Sequence, residues 1–433
     1  MYWGSHVVLP ALIPLFHHLT RNLHSHYNTG GAKGIPPSYI IDEGEMVPVP
    51  GRLIYRGLDI KDLVHGFMGE SRFGFEETAY LLLFGDLPDK NAQKDFEQLL
   101  AFYQRLPEDF ARDMILKAPS KDIMNTLARS VLALYSFDDN PDDTSMKNVL
   151  KQCLRLIACF PSLAVYGYQA FSHYHGNQSL YLHSPRADLS IAENILSMLR
   201  PDSNYTKLEA TLLDLALVLH AEHGGGNNSS FVTHVVTSTG TDTYSAIAAA
   251  IGALKGPRHG GANIKVIEMF EDIKDKLMDW NNDEELERYL ARILSKDAFD
   301  RSGLIYGIGH AVYSVSDPRA IILKDYAAQL AHEKGLEDEF NLYAKVERLA
   351  PKVIANVNSI HKGVSANVDF YSGFVYKMLN IPLEMFTPIF AISRIVGWSA
   401  HRIEEIANAG KIIRPAYKSV AERRKYIKMN ERA

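Results

Sequence analysis

The sequence predicts an all-α protein composed of many short helices separated by turns. Over most of the chain, apolar residues recur at steps of three and four, which places them on one face of a helix. Segments with the alternation of a strand are few, and no repeat or low-complexity tract is visible. The chain has 433 residues, of which 46% are apolar, so it can form two or three domains with a sizeable core.

Each predicted helix is a run of that three- and four-residue spacing. In chain order the runs are Phe75–Phe84, Ile123–Tyr135, Val149–Tyr168, Ile191–Leu199, Leu208–His220, Tyr244–Leu254, Ile264–Met278, Leu286–Leu294, Ala320–Ala331, Leu342–Asn356 and Ile389–Ala407. Two short segments have the composition of strands, and we expect them to pair as a small hairpin around a turn-rich acidic stretch. They are Tyr39–Ile41 and Leu53–Tyr55.

Charge and cysteine content exclude several classes of protein. The 51 acidic residues slightly outnumber the 46 basic ones, so no general positive field is available to hold a nucleic acid backbone. The two cysteines, Cys153 and Cys159, stand six positions apart in an apolar run and do not share a helix face. We therefore expect buried free thiols, as in a reducing compartment, and no disulfide.

The amino-terminal segment does not resemble a membrane or targeting segment. Its apolar run, Val7–Phe16, is interrupted by Pro10 and Pro14 and lacks the flanks of a signal peptide. It is also far shorter than the roughly 20 apolar residues that span a bilayer. We expect residues 1–35 to be a loosely ordered extension and the protein to be cytoplasmic, without a membrane segment.

Glycines cluster in short turns between the predicted helices. These turns allow the backbone to come close to a ligand, and each carries a histidine or lies near an ionisable group. They are Gly224–Gly226, Gly256–Gly261, Gly303–Gly309 and Gly373.

The first candidate group for chemistry is His259, in the turn Gly256-Pro-Arg-His-Gly-Gly-Ala-Asn263. Wedged between a proline and two glycines, its imidazole can face a ligand while the turn stays compact, just before a helix that begins near Asn263. The alternative is a loop histidine that bonds a local carbonyl, and the turn alone leaves both open.

A second motif, Tyr306-Gly-Ile-Gly-His-Ala-Val-Tyr313, carries His310 and is followed by Ser316-Asp-Pro-Arg319. An Asp-Pro pair is typical of a helix start and places Arg319 in the first turn of the next helix. The loop can bring His310 and Arg319 together, and a proton donor beside a guanidinium suits a small carboxylate substrate. The alternative is a capped helix with an ordinary surface arginine.

A third motif, Asn367-Val-Asp-Phe-Tyr-Ser-Gly373, predicts a helix capped by Asn367 that extends to about Leu379. Asp369 would lie in the first turn, where the helix dipole favours the ionised carboxylate. In a dry site this carboxylate is a usable base, although burial would raise its pKa. The alternative is a merely favourable residue at the helix start.

Two further features concern metals and carboxylates. The segment His220-Ala-Glu-His-Gly-Gly-Gly-Asn227 lacks the zincin spacing and an evident third ligand, so no metal site is predicted. Arg394, one turn before Trp398, and Arg414, after that helix, are candidate binders of a carboxylate. For each arginine a structural ion pair is the alternative.

Taken together and in this order, these segments resemble the citrate synthase family. The resemblance extends from about Tyr39 to Ala416 and is specific because three motifs follow one another. It is carried by Tyr55-Arg-Gly-Leu-Asp-Ile60, Phe75-Glu-Glu-Thr-Ala-Tyr-Leu-Leu-Leu-Phe-Gly85, the glycine-rich segments and Arg414-Pro415.

The resemblance implies condensation of acetyl-CoA with oxaloacetate through an enol, then hydrolysis of citryl-CoA, as in the tricarboxylic acid cycle. It implies that Asp369 removes the methyl proton, that His259 hydrogen-bonds the thioester oxygen and that His310 polarises the ketone of oxaloacetate. It implies no metal or prosthetic group, since acetyl-CoA is a substrate. The implied residues of the oxaloacetate pocket are His223, Asn227, Arg319, Arg394 and Arg414.

The resemblance also implies an architecture. A large helical domain would comprise residues 36–261 and 369–433, and a smaller mobile helical domain residues 262–368. In the family the equivalent of Arg414 reaches the neighbouring subunit's site, which implies at least a homodimer. Closure of the small domain would exclude water until the carbon–carbon bond has formed.

The sequence departs from the family where many bacterial members contact the CoA phosphates. They carry Arg directly after the position of His310 and Lys before Asp-Pro-Arg, where this chain has Ala311 and Ser314-Val-Ser316. The remaining candidates for CoA are Lys362, Arg56, Gly307 and Gly309.

Three alternative functions stay open at this stage. A 2-methylcitrate synthase would use propionyl-CoA with the same residues, and one methyl group changes discrimination by only about 1–3 kcal/mol. A non-catalytic helical scaffold would predict loss of His259, His310 or Asp369, and all three are present. A histidine-rich metallohydrolase would predict stoichiometric zinc.

Overall fold

A computed structural model describes residues 39–42, 45–309, 312–358, 364–408, 410–416, 418 and 420–432. These residues are predominantly helical, which confirms the predicted all-α class. The expected extension at residues 1–35 lies outside the described residues.

The helices follow one another with short connections. The first eight are α1 (Ile60–Gly69), α2 (Phe75–Phe84), α3 (Lys90–Tyr103), α4 (Ile123–Leu134), α5 (Met146–Gly176), α6 (Ile191–Leu199), α7 (Lys207–His220) and α8 (Asn228–Thr237). The remainder are α9 (Thr243–Lys255), α10 (Ala262–Lys276), α11 (Asp283–Leu294), α12 (Pro318–Lys334), α13 (Glu337–Asn358), α14 (Val368–Met378) and α15 (Phe386–Ala407). Shorter helical turns occur at Ala111–Leu116, Tyr135–Phe137, Leu383–Met385 and Met429–Glu431.

The predicted helices are all present, and α2 and α6 have the predicted bounds. Others begin one turn earlier because polar caps precede the apolar run; Asn282, for example, accepts from the first turn of α11. Three helices were not predicted: α1, α3 and α8. The last is rich in Ser, Thr and Val, which have modest helix propensity, and is held by burial of Ser229 and Thr233.

The predicted strand pairing is wrong. Tyr39–Asp42 (β1) pairs with Glu45–Pro48 (β2), and Ile54–Tyr55 (β3) pairs with Leu58–Asp59 (β4), so each strand finds a partner next to it in sequence. Arg56 and Gly57, both at positive φ, form the tight turn between β3 and β4. A local hairpin closes a shorter loop than the predicted pairing and therefore loses less chain entropy.

Two long helices form the centre of the protein. In α15 every residue from Phe386 to Glu404 is buried, and the helix packs against α2, α5, α7, α8 and α9. Helix α5 is the one described helix long and apolar enough to cross a membrane, but 89% of its apolar window is buried inside the protein, as expected of a core helix. It contains Cys153 and Cys159, which are buried free thiols as predicted.

A second group of helices lies between α9 and α14 in the sequence. Helices α10 and α12 pack against α14, α11 and α12 pack against α13, and α12 also contacts α7. Helix α14 thus connects this group to the segment that leads into α15. The division at residues 262 and 368 stays a prediction.

Gly397 in α15 is expected to tolerate no side chain. A Cβ at this position would overlap the Glu222 carboxylate and lie 2.5 Å from the Ala221 carbonyl oxygen. We expect Gly397→Ala to lower the free energy of unfolding by about 2–3 kcal/mol, measured by denaturant titration. The matched control is Gly252→Ala in α9, where a Cβ meets nothing within 4 Å, and this change should stabilise slightly. Equal stability of both variants would contradict the close packing at Gly397.

Candidate active site

His259 is held at the start of α15 by a compact turn. The backbone N–H of His259 donates to the Gly256 carbonyl over 2.8 Å, and the Thr387 hydroxyl donates to the Gly260 carbonyl over 2.9 Å. A side chain at Gly260 would collide with the Leu254 carbonyl, so glycine is required for this contact. The half-buried imidazole meets the ring of Phe390 edge-on at 6.2 Å.

The imidazole of His259 belongs to a network of neutral donors and acceptors. Its Nε2 lies 3.1 Å from Ser229 Oγ, which also receives the indole N–H of Trp398 over 3.1 Å. The single hydroxyl hydrogen of Ser229 can go to His259 Nε2 or to Asn227 Oδ1, also at 3.1 Å. Arg394 Nη1 already donates to Asn227 Oδ1 over 3.2 Å. Donation from Ser229 to Nε2 therefore satisfies both acceptors and leaves the hydrogen of His259 on Nδ1, available to a ligand.

Burial, together with the nearby charge of Arg394, lowers the pKa of His259 to about 4. At neutral pH the ring is therefore uncharged. An uncharged imidazole can donate a hydrogen bond to a carbonyl oxygen without acting as a full acid. This is the property expected of a group that stabilises an enol.

Asp369 lies in the first turn of α14, as predicted. Asn367 is the N-cap and accepts the Asp369 backbone N–H over 3.0 Å. Burial raises the pKa of the Asp369 carboxyl to about 6, although the positive charge of Arg319 opposes this rise. The group is therefore ionised at neutral pH yet is a stronger base than an exposed carboxylate.

Arg319 lies next to this carboxylate through an Asp317 bridge. Asp317 caps α12, with proline in the first turn, as predicted. Arg319 donates to both carboxylate oxygens of Asp317, over 3.0 and 2.7 Å, and Asp317 Oδ2 also accepts the Val368 N–H over 3.2 Å. The starts of α12 and α14 are thereby joined. At Arg319 the structural ion pair is present, and the side chain still reaches the site.

His310 and Ala311 lie outside the described residues, but both ends of their loop are placed. Ile308 forms an isolated antiparallel bridge with Ala366, and the Gly309 N–H donates to the Ser365 carbonyl over 2.8 Å. On the far side, Tyr313 meets the ring of His223 edge-on at 5.7 Å. The loop that carries His310 therefore begins next to Asn367 and ends next to the glycine turn.

Gly307 and Gly309 have φ of 78° and 104°, in the region that favours glycine. A Cβ at Gly307 would lie 2.8 Å from the ring of Phe370. These glycines permit close approach of the loop to α14. The structure gives them a local reason to be glycine, and their contact with CoA stays a prediction.

Arg394 is buried in the middle of α15 and bonds neutral acceptors. Its Nε donates to the His220 carbonyl over 2.6 Å, Nη1 donates to Asn227, and the guanidinium lies 4.7 Å from the centre of the Phe390 ring. Burial lowers the pKa of Arg394 to about 10, a loss that the charge of Glu222 partly offsets. A buried cation with neutral partners is suited to a carboxylate ligand.

The segment from His220 to Asn227 contributes two histidines of different character. Burial lowers the pKa of His220 to about 3, and its Nδ1 lies 2.8 Å from the Ala216 carbonyl, so it is a neutral core residue. His223 is buried beside Tyr313 at the start of the glycine turn. Within the described part of the chain, no group of three or more His, Cys, Asp or Glu could hold a metal ion.

The remaining predicted residues are not gathered at this site. Arg56 donates to the Leu82 carbonyl over 3.1 Å from the β3–β4 turn. Arg414 is exposed, and its neighbour Ile413 donates to Ser238 Oγ over 3.0 Å, just past the end of α8 whose start holds Ser229. Lys362 lies outside the described residues.

Sequence reasoning missed Ser229, Tyr55 and Glu222 as supporting residues. The Tyr55 hydroxyl donates to the carbonyls of Val218 and Glu222, which fixes the start of the glycine turn. The position of Ser229, at the start of a helix and two residues after Asn227, is the signal that could have identified it.

The raised pKa of Asp369 predicts an acid limit to activity. A base must be ionised, so kcat/KM for the substrate that loses a proton is expected to fall about tenfold per pH unit below pH 6. The measurement is a pH–rate profile with circular dichroism at each pH as a control for unfolding. Constant activity down to about pH 5 in folded protein would contradict a buried base at this position.

Comparisons with known proteins agree with this geometry. The family model for the citrate synthase carboxy-terminal domain matches residues 38–416. A citrate synthase of Synechocystis is 35% identical over 88% of each chain, and a 2-methylcitrate synthase of Shewanella oneidensis is 32% identical over 84% of this chain and 87% of its own. The structure also resembles that of citrate synthase from Thermoplasma acidophilum in ternary complex with carboxymethyl coenzyme A and oxaloacetate. The TM-score is 0.70 at 27% identity, over 88% of this chain and 93% of that one.

Proposed function

The chain belongs to the citrate synthase family and condenses acetyl-CoA with oxaloacetate, and we propose that His259, His310 and Asp369 carry out this reaction. One observation supports the assignment above others. Asp369, with its raised pKa, and the neutral His259 both lie within the influence of the buried Arg394. A base, a hydrogen-bond donor and a carboxylate binder therefore share one dry region of the protein.

The proposed first step forms the enol. The Asp369 carboxylate takes a proton from the methyl group of acetyl-CoA, while His259 Nδ1–H donates to the thioester oxygen. Neither group suffices alone, because a thioester methyl is a weak acid and its enolate is unstable without a donor. The pair thus lowers the cost of removing the proton without any formal charge on His259.

The second step joins the two carbons. The enol carbon attacks the ketone of oxaloacetate, and His310 donates a proton to the oxygen that becomes an alkoxide. The carboxylates of oxaloacetate would be held by Arg319 and Arg394, with His223 and Asn227 on the pocket wall. Water then cleaves the thioester of citryl-CoA to give citrate and free CoA, with the proton of water passing to the thiol.

Domain closure and subunit exchange belong to the same proposal. Residues 262–368 would close over the substrates and exclude water, with hinges near His259 and Asp369. Arg414, exposed beyond α15, would contribute to the site of a second copy, which makes the homodimer the active form. Lys362 and Arg56 are proposed to contact the CoA phosphates.

Propionyl-CoA is the alternative acyl substrate, because the 2-methylcitrate synthase relative is nearly as similar as the citrate synthases. Mass spectrometry of the product from each thioester with oxaloacetate distinguishes the two. We expect citrate to form with the higher kcat/KM. A higher kcat/KM for 2-methylcitrate would reassign the substrate, and neither product would contradict the proposed function.

A further inference from the structure

A buried chain of two histidines and two glutamates lies behind the proposed oxaloacetate site. His401 Nε2 in α15 lies 2.9 Å from Glu222 Oε1, and His401 Nδ1 lies 3.0 Å from His234 Nε2 in α8. His234 Nδ1 in turn lies 2.8 Å from Glu405 Oε2. The side chains of Glu222 and His401 are only 4% and 3% exposed, whereas His234 and Glu405 reach 18% and 15%. The chain therefore connects the interior to the surface.

The contacts determine where the protons lie. Burial opposes a charge on His401, but the Glu222 carboxylate outweighs burial and raises the pKa of His401. Burial likewise opposes a charge on Glu222, yet His401 lowers the pKa of Glu222 to about 2. With His401 protonated, its Nδ1–H donates to His234 Nε2. His234 must then carry its hydrogen on Nδ1, and donates it to Glu405.

The chain supports the residues that face the substrate. A Cβ at Gly225 would lie 3.3 Å from His234 Nε2 and 3.4 Å from His401 Cε1, so the glycine turn rests on the two imidazoles. That turn begins at His223 and ends at Asn227. Gly397 in turn is pressed against the carboxylate of Glu222 and lies beside the Arg394 side chain.

The charges around the site make His401 important for a dianion. Arg319 is neutralised by Asp317, and the charge of Arg394 is opposed by the buried Glu222. Without a charge on His401, these four groups sum to zero beside the ionisable Asp369. The other groups that face His401 are Arg56 from the β3–β4 turn, His234 from α8, and Glu404 of α15 at 3.8 Å from Nδ1.

We propose that protonated His401 is a positioning residue for oxaloacetate, an inference that rests on the function proposed above. It neutralises Glu222, so that the charge of Arg394 is available to a substrate carboxylate, and it supports the turn between His223 and Asn227. The link through His234 to Glu405 stabilises the charge of His401 from the surface side. His401 itself does not touch the reacting atoms.

The proposal has a definite pH sign. The charged form of His401 is the competent one, so KM for oxaloacetate should rise as pH increases through the pKa of His401, while kcat changes less. Below that pKa the site retains its positive charge. This limb lies on the alkaline side, opposite to the acid limb expected from Asp369.

The test compares His401→Gln with the double variant Glu222→Gln/His401→Gln. The single change leaves a buried carboxylate beside Arg394, and we expect KM for oxaloacetate to rise about tenfold or more. The double change removes that carboxylate, and KM should return to within about threefold of wild type. The matched control is His332→Gln, which removes a His–Glu pair on the surface, with His332 84% exposed, and should leave KM unchanged.

Each outcome decides the proposal. Recovery in the double variant supports it. An equally high KM in both variants, or a proportional loss of kcat and of affinity for both substrates, would show a purely structural role and overturn it. Should the single variant not fold, the wild-type profile decides, since a KM for oxaloacetate independent of alkaline pH also overturns it. Absence of oxaloacetate-dependent activity in wild type would instead contradict the proposed function.

Discussion

Asp369→Asn is expected to lower kcat by about a thousandfold, the usual contribution of a positioned base to proton abstraction. The amide has the shape of the carboxyl group, and the Asn367 cap on α14 bonds only the backbone of residue 369. The fold should therefore be retained. KM for oxaloacetate should not increase, because the change removes a negative charge near the proposed binding site. Steady-state kinetics with acetyl-CoA and oxaloacetate measure both quantities.

The control for this change is Asp62→Asn. Asp62 also lies in the first turn of a helix, α1, but is exposed to solvent. It should retain wild-type kcat. If the two variants were equally active, Asp369 would be only a favourable residue at a helix start, which is the alternative that its motif alone left open.

Arg394→Met is expected to raise KM for oxaloacetate about a hundredfold, because charge-assisted hydrogen bonds to a buried carboxylate are among the strong ones. Methionine keeps much of the volume beside Phe390 but loses both the charge and the donors. Arg394→Lys should lie between wild type and Arg394→Met, since it keeps the charge but not the fork of donors that reaches His220 and Asn227. The measurement is KM for oxaloacetate at saturating acetyl-CoA.

Wild-type KM in Arg394→Met, together with a lower melting temperature, would contradict this assignment. Arg394 would then serve only to tie α15 to the end of α7. Calorimetry alongside kinetics therefore distinguishes a binding residue from a structural one.

Much of the site could be predicted because its residues sit at helix starts with strong local signals. Asp317 followed by proline fixed the start of α12, and Asn367 fixed the start of α14. These caps place Arg319 and Asp369 within one turn of each helix terminus. Local chemistry of this kind needs no knowledge of the tertiary structure.

The rest depended on contacts between distant parts of the chain. Nothing near Glu222 in sequence reveals His401, which lies on another helix, and Ser229 acquires its role only through His259 and Trp398. The hairpins failed for a related reason, since pairing partners are chosen by tertiary closure as well as by composition. The helix α8 was missed because burial outweighs the modest propensity of its Ser, Thr and Val residues.

The central claim is that thioester cleavage by this protein is coupled to oxaloacetate. The most direct measurement is release of the CoA thiol from acetyl-CoA by the full-length protein, with and without oxaloacetate. We expect release only when oxaloacetate is present, because cleavage follows carbon–carbon bond formation. Release that does not depend on oxaloacetate, or no release from either acetyl-CoA or propionyl-CoA, would contradict the account.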